Sequence, residues 1–323
     1  MLVKNIEMNI RNLNNYDIPS LTKLYNEEMV YDPDFRPLNT NEFEARFFEQ
    51  PFISKDLIFV CEQDNQLLGC IVADIDPLVE LKFGKKIAIV DLILAKKEKF
   101  EEILGALLAN LFEKVRKEGA KEVQIHFIAD NFKILHNFLI SEGFKLAREW
   151  YYMESKAKYC DLEDLPRGFK WDYIKFKGRY ANAKKWLECH NKAFKDHYGM
   201  RPLRYEELKL YALEESFDPK GYFGIYEINK NRFIAQCSCE IDKKLNEYKN
   251  MKRAIIWTVG VIEEFRNRGF GRMLVKKAFN WAFEKGMQIV AIHVDSQNNV
   301  AYNLYSSLGF VVIRKRLFYS ITL

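Results

Sequence analysis

Between residues 259 and 272 the chain reads VGVIEEFRNRGFGR. The segment Arg266-Asn267-Arg268-Gly269-Phe270-Gly271-Arg272 lies between an apolar, strand-like run and a run with helical spacing. Gly269 and Gly271 remove side chains where an anion could approach backbone N–H groups. A helix starting there offers unpaired N–H groups and a partial positive end, and Arg266, Arg268 and Arg272 add charge. The chemistry is that of a phosphate cradle. Alone, the string has low specificity and reads equally as a helix cap with a solvated basic turn. A second string, IHVDSQNNVAYNLYSSLGF, covers residues 292–310. A strand should end near Asp295. Asn298, Ala301, Leu304 and Tyr305 then recur at helical spacing until Gly309-Phe310 stops the helix. Tyr305 places a phenol beside an apolar helix face, where the ordinary role is a core tyrosine whose hydroxyl finds a partner.

The elements that would hold these strings occur twice. Gly309-Phe310 repeats Gly143-Phe144 at an offset of 166, and the strand around Val261 repeats the strand around Leu94 at 167. Each half begins with a strand and a helix (6–26; 171–194), followed by a polar, aromatic-rich stretch. A hairpin of alternating strands comes next (57–75; 222–241), turning at Asp64-Asn65 and at Asn229-Lys230-Asn231. A buried strand (86–95; 254–262) then runs into an amphipathic helix. Leu104, Leu107, Leu108, Leu111 and Phe112 share one helical face in the first copy, as do Leu274, Ala278, Trp281 and Ala282 in the second. A short strand, a short helix, Gly-Phe and closing strands complete each half. The expectation is a mixed α/β chain of two domains, 1–160 and 171–323, joined by a linker at 161–170.

The composition fits this plan. The chain has 323 residues, 48% hydrophobic and 29% charged, with 25 Phe and 17 Tyr, which is ample for folded cores. Its longest apolar run, Ala254 to Ile262, is nine residues, against about 20 for a membrane helix. The N-terminus has no apolar signal segment, so a soluble, cytoplasmic protein without a membrane partner is expected. Six scattered cysteines make no disulfide framework. Cys237 and Cys239 should face one side of a strand, but no second Cys/His pair stands at zinc-like spacing, so free thiols and no metal are expected. The formal charge of +5 conceals an asymmetry: residues 1–165 hold 21 basic and 29 acidic side chains, and residues 166–323 hold 29 and 16. The basic half favours an anionic, phosphate-bearing ligand. Its basic residues are dispersed and not interleaved with aromatics in a stripe, which argues against nucleic acid.

With both strings in place, the second half resembles a Gcn5-related N-acetyltransferase (GNAT) domain over roughly 150 residues. RNRGFG is similar to the family's pyrophosphate loop, and N-x-x-A-x-x-L-Y-x-x-L-G-F to its second signature. The resemblance implies two tandem domains, each a mostly antiparallel twisted sheet flanked by helices, in the plan of the mycothiol synthase-type acetyltransferases. It implies acetyl-CoA as co-substrate. The pyrophosphate would rest on backbone N–H groups of residues 267 to 272, the pantetheine arm on the strand backbone at Val259–Val261, and Asn298 would contact the arm. Tyr305 occupies the position of the general acid toward the thiolate. In the first half Lys99, Glu102, Leu104 and Leu139 stand where Arg266, Gly269, Gly271 and Tyr305 do, which implies a degenerate, non-catalytic copy.

The reaction so implied is direct attack of a primary amine, on a small molecule or a peptide, on the acetyl thioester. Tandem relatives often carry a glutamate early on the central strand, and residues 253–258 offer none. Glu240 on the preceding strand is the candidate base, with His293 and Asp295 as alternatives and ordered water as the fallback. Residues 197–219 would shape the acceptor site by the same resemblance. Other readings are a non-catalytic acyl-CoA-binding sensor or scaffold, and an acyltransferase with another donor. A monomer or homodimer is expected.

Overall fold

The computed structural model describes residues 8–49 and 53–323; of the first expected strand, Ile6 and Glu7 lie outside them. The elements follow in the order β1 (Asn9–Asn12), α1 (Ile18–Glu28), α2 (Thr40–Phe47), β2 (Ile58–Gln63), β3 (Gln66–Asp74), α3 (Pro77–Phe83), β4 (Ile87–Ala95), α4 (Phe100–Lys117), β5 (Glu122–Ala129), α5 (Lys133–Ser141) and β6 (Lys145–Lys156). The second series is β7 (Phe169–Tyr173), α6 (Ala183–Ala193), α7 (Tyr205–Tyr211), β8 (Tyr222–Glu227), β9 (Arg232–Glu240), α8 (Lys243–Tyr248), β10 (Arg253–Val261), α9 (Phe270–Glu284), β11 (Ile289–Asp295), α10 (Asn299–Ser307) and β12 (Val311–Thr322). Both expected hairpins form. Asp64 and Asn65 turn the first with φ of 53° and 60°, the paired left-handed conformation that matches strand twist in a two-residue loop.

The chain divides into two units. One takes the described residues up to Glu149 together with Arg316–Leu323; the other is Trp150–Lys315. The first unit's sheet runs β1-β2-β3-β4-β5-β12, and the second unit's runs β6-β11-β10-β9-β8-β7. Within each, one pair is parallel, β4 with β5 and β10 with β11, and the other pairs are antiparallel. The expected boundaries lay at 1–160 and 171–323. Strand β6 pairs from Trp150 onward with β11, and β12 pairs from Arg316 onward with β5. The sixth strand of each unit therefore comes from the other half of the sequence, because the ladder it joins decides where it belongs.

In the first unit the sheet buries two faces. One packs α4 and α5 through Leu104, Leu107, Leu108, Leu111 and Leu139. The other packs α1 and α2 through Leu21, Leu24, Tyr25 and Phe43. In the second unit Trp186 of α6, Phe223, Cys237, Leu274, Ala278 and Phe279 belong to one continuous core. The helices α3 and α8 were not anticipated; each is capped by an aspartate, Asp76 accepting from Leu78 N–H and Asp242 from Leu245 N–H.

Arg316 ties its strand into the first unit. Its buried guanidinium donates to Asp32 at 2.7 and 2.8 Å and to Asp34 at 2.6 Å. Removing one member of a buried charge cluster costs about 3–5 kcal/mol. An Arg316→Met variant should therefore lose circular-dichroism signal at lower urea than the wild type. All five tryptophans lie between residues 150 and 315, so their fluorescence follows the second unit and should move less. Coincident, unshifted transitions would contradict this assignment.

Candidate active site

The second unit's parallel pair separates. Strand β10 is registered with β11 only from Arg253↔Ile289 to Ile256↔Ile292. Beyond that, β11 continues with β6, and β10 continues with β9 alone, Val259 opposite Cys237 and Val261 opposite Ala235. Among the described residues, the backbone of Trp257–Val261 thus has a strand partner on one side only. A bulge at Trp257 starts the divergence, since Ile256 pairs with Cys239 and Thr258 already with Ser238. The open edge lies where Val259 and Val261 were expected to receive an extended ligand arm.

The turn into α9 follows the same edge. Asn267 has φ 61° and Gly269 φ 81°, so the chain breaks helical geometry twice before Phe270. The first intrahelical partner is Met273 N–H, which donates to Gly269 O; the N–H groups of Phe270, Gly271 and Arg272 precede it and have no carbonyl one turn back. A Cβ on Gly269 would meet nothing within 4 Å, and one on Gly271 would press on Leu304 of α10 at 3.3 Å. Gly269 thus gives access, and Gly271 lets α9 and α10 approach. Phe270 turns inward against Phe169 and Phe265, so its contribution at the surface is backbone.

The arginines have partners within the unit. Arg266 Nε donates to Val261 O and its Nη2 to Ala193 O, pinning the end of β10 to α6. Arg268 stacks over Phe265 at 5.0 Å, and Arg272 donates to Ser307 at 2.7 Å. Their charge stays at the mouth of the turn. Asn298 caps α10 by accepting from Ala301 N–H, which sets the helix that carries Tyr305. Tyr305 is buried against Phe310, and burial, with a further contribution from Cys237, raises its phenol above the ordinary range. At neutral pH it is an O–H donor.

On the face turned to α6, Glu240 sits directly across from Ile255. Its half-buried carboxylate accepts hydrogen bonds from Tyr222, from Ser216 at 3.2 Å and from the indole of Trp257 at 3.0 Å. Cross-strand placement brings it to the part of β10 that has no acid of its own, and the three donors orient it. His293 stacks on Trp257 and meets Tyr152 edge-on. Asp295 accepts from Gln297 N–H in the turn before α10. Of residues 197–219, Arg201 and Glu207 form a bidentate pair that fixes α7, and Ser216 reaches the site through Glu240. Trp257, Tyr222, Ser216, Thr258 and Gly260 were not singled out from the sequence. Only Gly260 carried a local signal, as the small residue of Val-Gly-Val; a Cβ there would lie 2.8 Å from Ala193 and 2.9 Å from Phe194. The sulfurs of Cys237 and Cys239 are 3.6 Å apart and buried.

The first unit repeats the frame and fills it. Strand β4 is registered with β5 only from Ile87 to Val90, and Asp91 occupies the bulge equivalent to Trp257. Helix α4, however, begins at Phe100, which aligns with Asn267, so the open turn of the second unit is wound into an extra helical turn containing Glu101 and Glu102. The Glu28 carboxylate accepts from Lys97 N–H. Tyr31 stacks on Phe132 at 3.7 Å, and Phe132 packs on Phe100. Leu139 is buried where the second unit has Tyr305.

No described helix is long and apolar enough to cross a membrane. The sequence pattern of the acetyltransferase (GNAT) family matches residues 183–310. A mycothiol acetyltransferase of Thermobifida fusca is 28% identical over 40% of this chain and 41% of its own. One of Thermobispora bispora is 30% identical over 53% of this chain and 57% of its own. The chain spans about half the length of the curated relatives it matches. Among solved structures, a tandem GNAT protein from the clavulanic acid biosynthesis pathway superposes with a TM-score of 0.71 at 14% identity, covering 98% of both chains, which is a likeness of fold. Residues 183–310 thus match the acetyltransferase (GNAT) family, and the chain has the fold of a tandem GNAT protein.

Proposed function

We propose that the second unit transfers an acetyl group from acetyl-CoA to a primary amine in a ternary complex. The observation that carries this reading is the open backbone edge of β10 running into the glycine turn of α9. An extended amide-bearing arm can pair with such an edge, and a pyrophosphate with the N–H groups of residues 267 to 272. The residues fit the ligand: Gly269 leaves open space, and Arg266, Arg268 and Arg272 surround the turn with positive charge.

The amine nitrogen attacks the thioester carbon; the N–C bond forms and the C–S bond breaks. Backbone N–H groups at Val259–Val261 stabilise the charge that develops on the carbonyl oxygen. Glu240, oriented by three donors, receives the amine proton through water. Tyr305 donates its O–H to the departing thiolate. Full proton transfer from a phenol near 10 to a thiol near 8.5 is already uphill by about 2 kcal/mol, and burial of Tyr305 makes it more so, which favours hydrogen bonding over protonation. The first unit serves as a non-catalytic partner domain. The mycothiol relatives support the reaction class and the plan.

Calorimetric titration with acetyl-CoA should give one site per chain, and thiol release across a panel of primary amines should identify the acceptor. Absence of acetyl-CoA binding would remove the proposal. Two sites would show that the first unit's slot opens despite Glu102, Tyr31 and Phe132.

A further inference from the structure

A hydrogen-bonded chain crosses the buried sheet face beside the open edge of β10. Ser238 and Thr258 hydroxyl oxygens are 2.7 Å apart. Thr258 donates to Gln236 Oε1 at 3.0 Å, and Gln236 Nε2 meets His190 Nδ1 at 3.4 Å. Gln236, Ser238 and His190 are buried, while Thr258 is half-buried on the strand that borders the divergence. The direction of the chain follows from its two ends. An amide nitrogen can only donate, so His190 Nδ1 accepts and the imidazole is neutral; burial among Trp186 and Phe194 keeps its pKa down at about 4. The single hydroxyl hydrogen of Thr258 is spent on Gln236, so Ser238 must be the donor in the remaining contact. Thr258 is thereby an oxygen with no hydrogen to offer and one lone pair uncommitted.

Resting on the acetyl-transfer reading, we infer that Thr258 Oγ1 accepts a hydrogen bond from an N–H of the acceptor amine and so turns the nitrogen lone pair toward the thioester, with Gln236 and His190 as positioning residues that hold the hydroxyl in its accepting state. An amine that keeps an N–H after the N–C bond forms satisfies this contact; an oxygen nucleophile does not. The site is thus built to prefer amines over alcohols, because a hydroxyl acceptor gives up its single hydrogen as the O–C bond forms and then leaves the Thr258 lone pair unpaired.

Two bisubstrate analogues test this without knowledge of the natural acceptor: CoA carrying an S-linked N-butylacetamide, and the corresponding butyl ester, which lacks the N–H. Calorimetry on the full chain should show the amide bound about five- to tenfold more tightly than the ester. Thr258→Val should bring that ratio to about one while binding of CoA alone stays unchanged, and Thr258→Ser should restore it. Gln236→Met frees the Thr258 hydrogen and should lower the ratio as well, with the double variant no worse than either single one. An amide-to-ester ratio unaffected by Thr258→Val overturns the inference and leaves the acetyl-transfer reading standing. Failure of the wild type to bind CoA and both analogues overturns the two together.

Discussion

Replacing Tyr305 with phenylalanine should lower kcat by about a hundredfold and leave the KM for acetyl-CoA within about twofold. The ring packs against Phe310 in the core, and phenylalanine keeps that packing, so the fold and the α9 turn are undisturbed. Only the O–H is lost. Its expected contribution is confined to the transition state, where negative charge gathers on the leaving sulfur; losing a positioned donor of that kind costs about 10²–10³ in rate. An interaction made only in the transition state lowers kcat and kcat/KM alike. Steady-state thiol release with the amine found in the panel measures both. A variant with nearly full turnover would remove Tyr305 from the mechanism and make it a core tyrosine. Because burial raises the phenol's pKa, no loss of rate from Tyr305 ionisation is expected up to the ordinary tyrosine value near 10.

The largest effect on binding is expected at Gly269. A Gly269→Glu variant imposes a side chain on a residue at φ 81°, which strains any L-residue by about 1–2 kcal/mol, and it sets a carboxylate against the phosphate. Acetyl-CoA affinity should fall by at least about a hundredfold. The open space around Gly269 means that no core contact is lost, so thermal unfolding should shift by only a few degrees. Calorimetric titration checks the affinity and circular dichroism the fold. Binding that persists would place the phosphates elsewhere. The first unit supplies the natural comparison. There Glu102 already stands at this position, Glu101 and Glu102 lie inside a helix that starts at Phe100, and Glu28 takes the Lys97 N–H. Acetyl-CoA should be bound once per chain for that reason.

Much of this frame was legible beforehand because its signals are local. Gly269 and the turn at Asp64-Asn65 announce positive φ by residue type, and the α9 and α4 faces announce themselves by period. The repeat doubled each signal. The helices α3 and α8 were missed because six or seven residues are too few to establish a period, although Asp76-Pro77 is a start signal that could have been read. Glu240 was found only as an acid near a strand lacking one. Its register opposite Ile255 and its donors Tyr222, Ser216 and Trp257 come from residues 17 to 24 positions away, and no spacing rule reaches that far.

The two-copy plan, the glycine turn on the second copy and the phenol two elements later are written in the sequence, since helix periodicity, turn conformation and strand alternation depend on neighbours within a few residues. The tertiary structure alone decided which ladder each closing strand joins, where β10 leaves β11, and which way the Thr258 hydroxyl points. Those outcomes depend on backbone and side-chain hydrogen bonds between segments distant in the chain, and a buried donor or acceptor takes whichever partner the fold brings within reach.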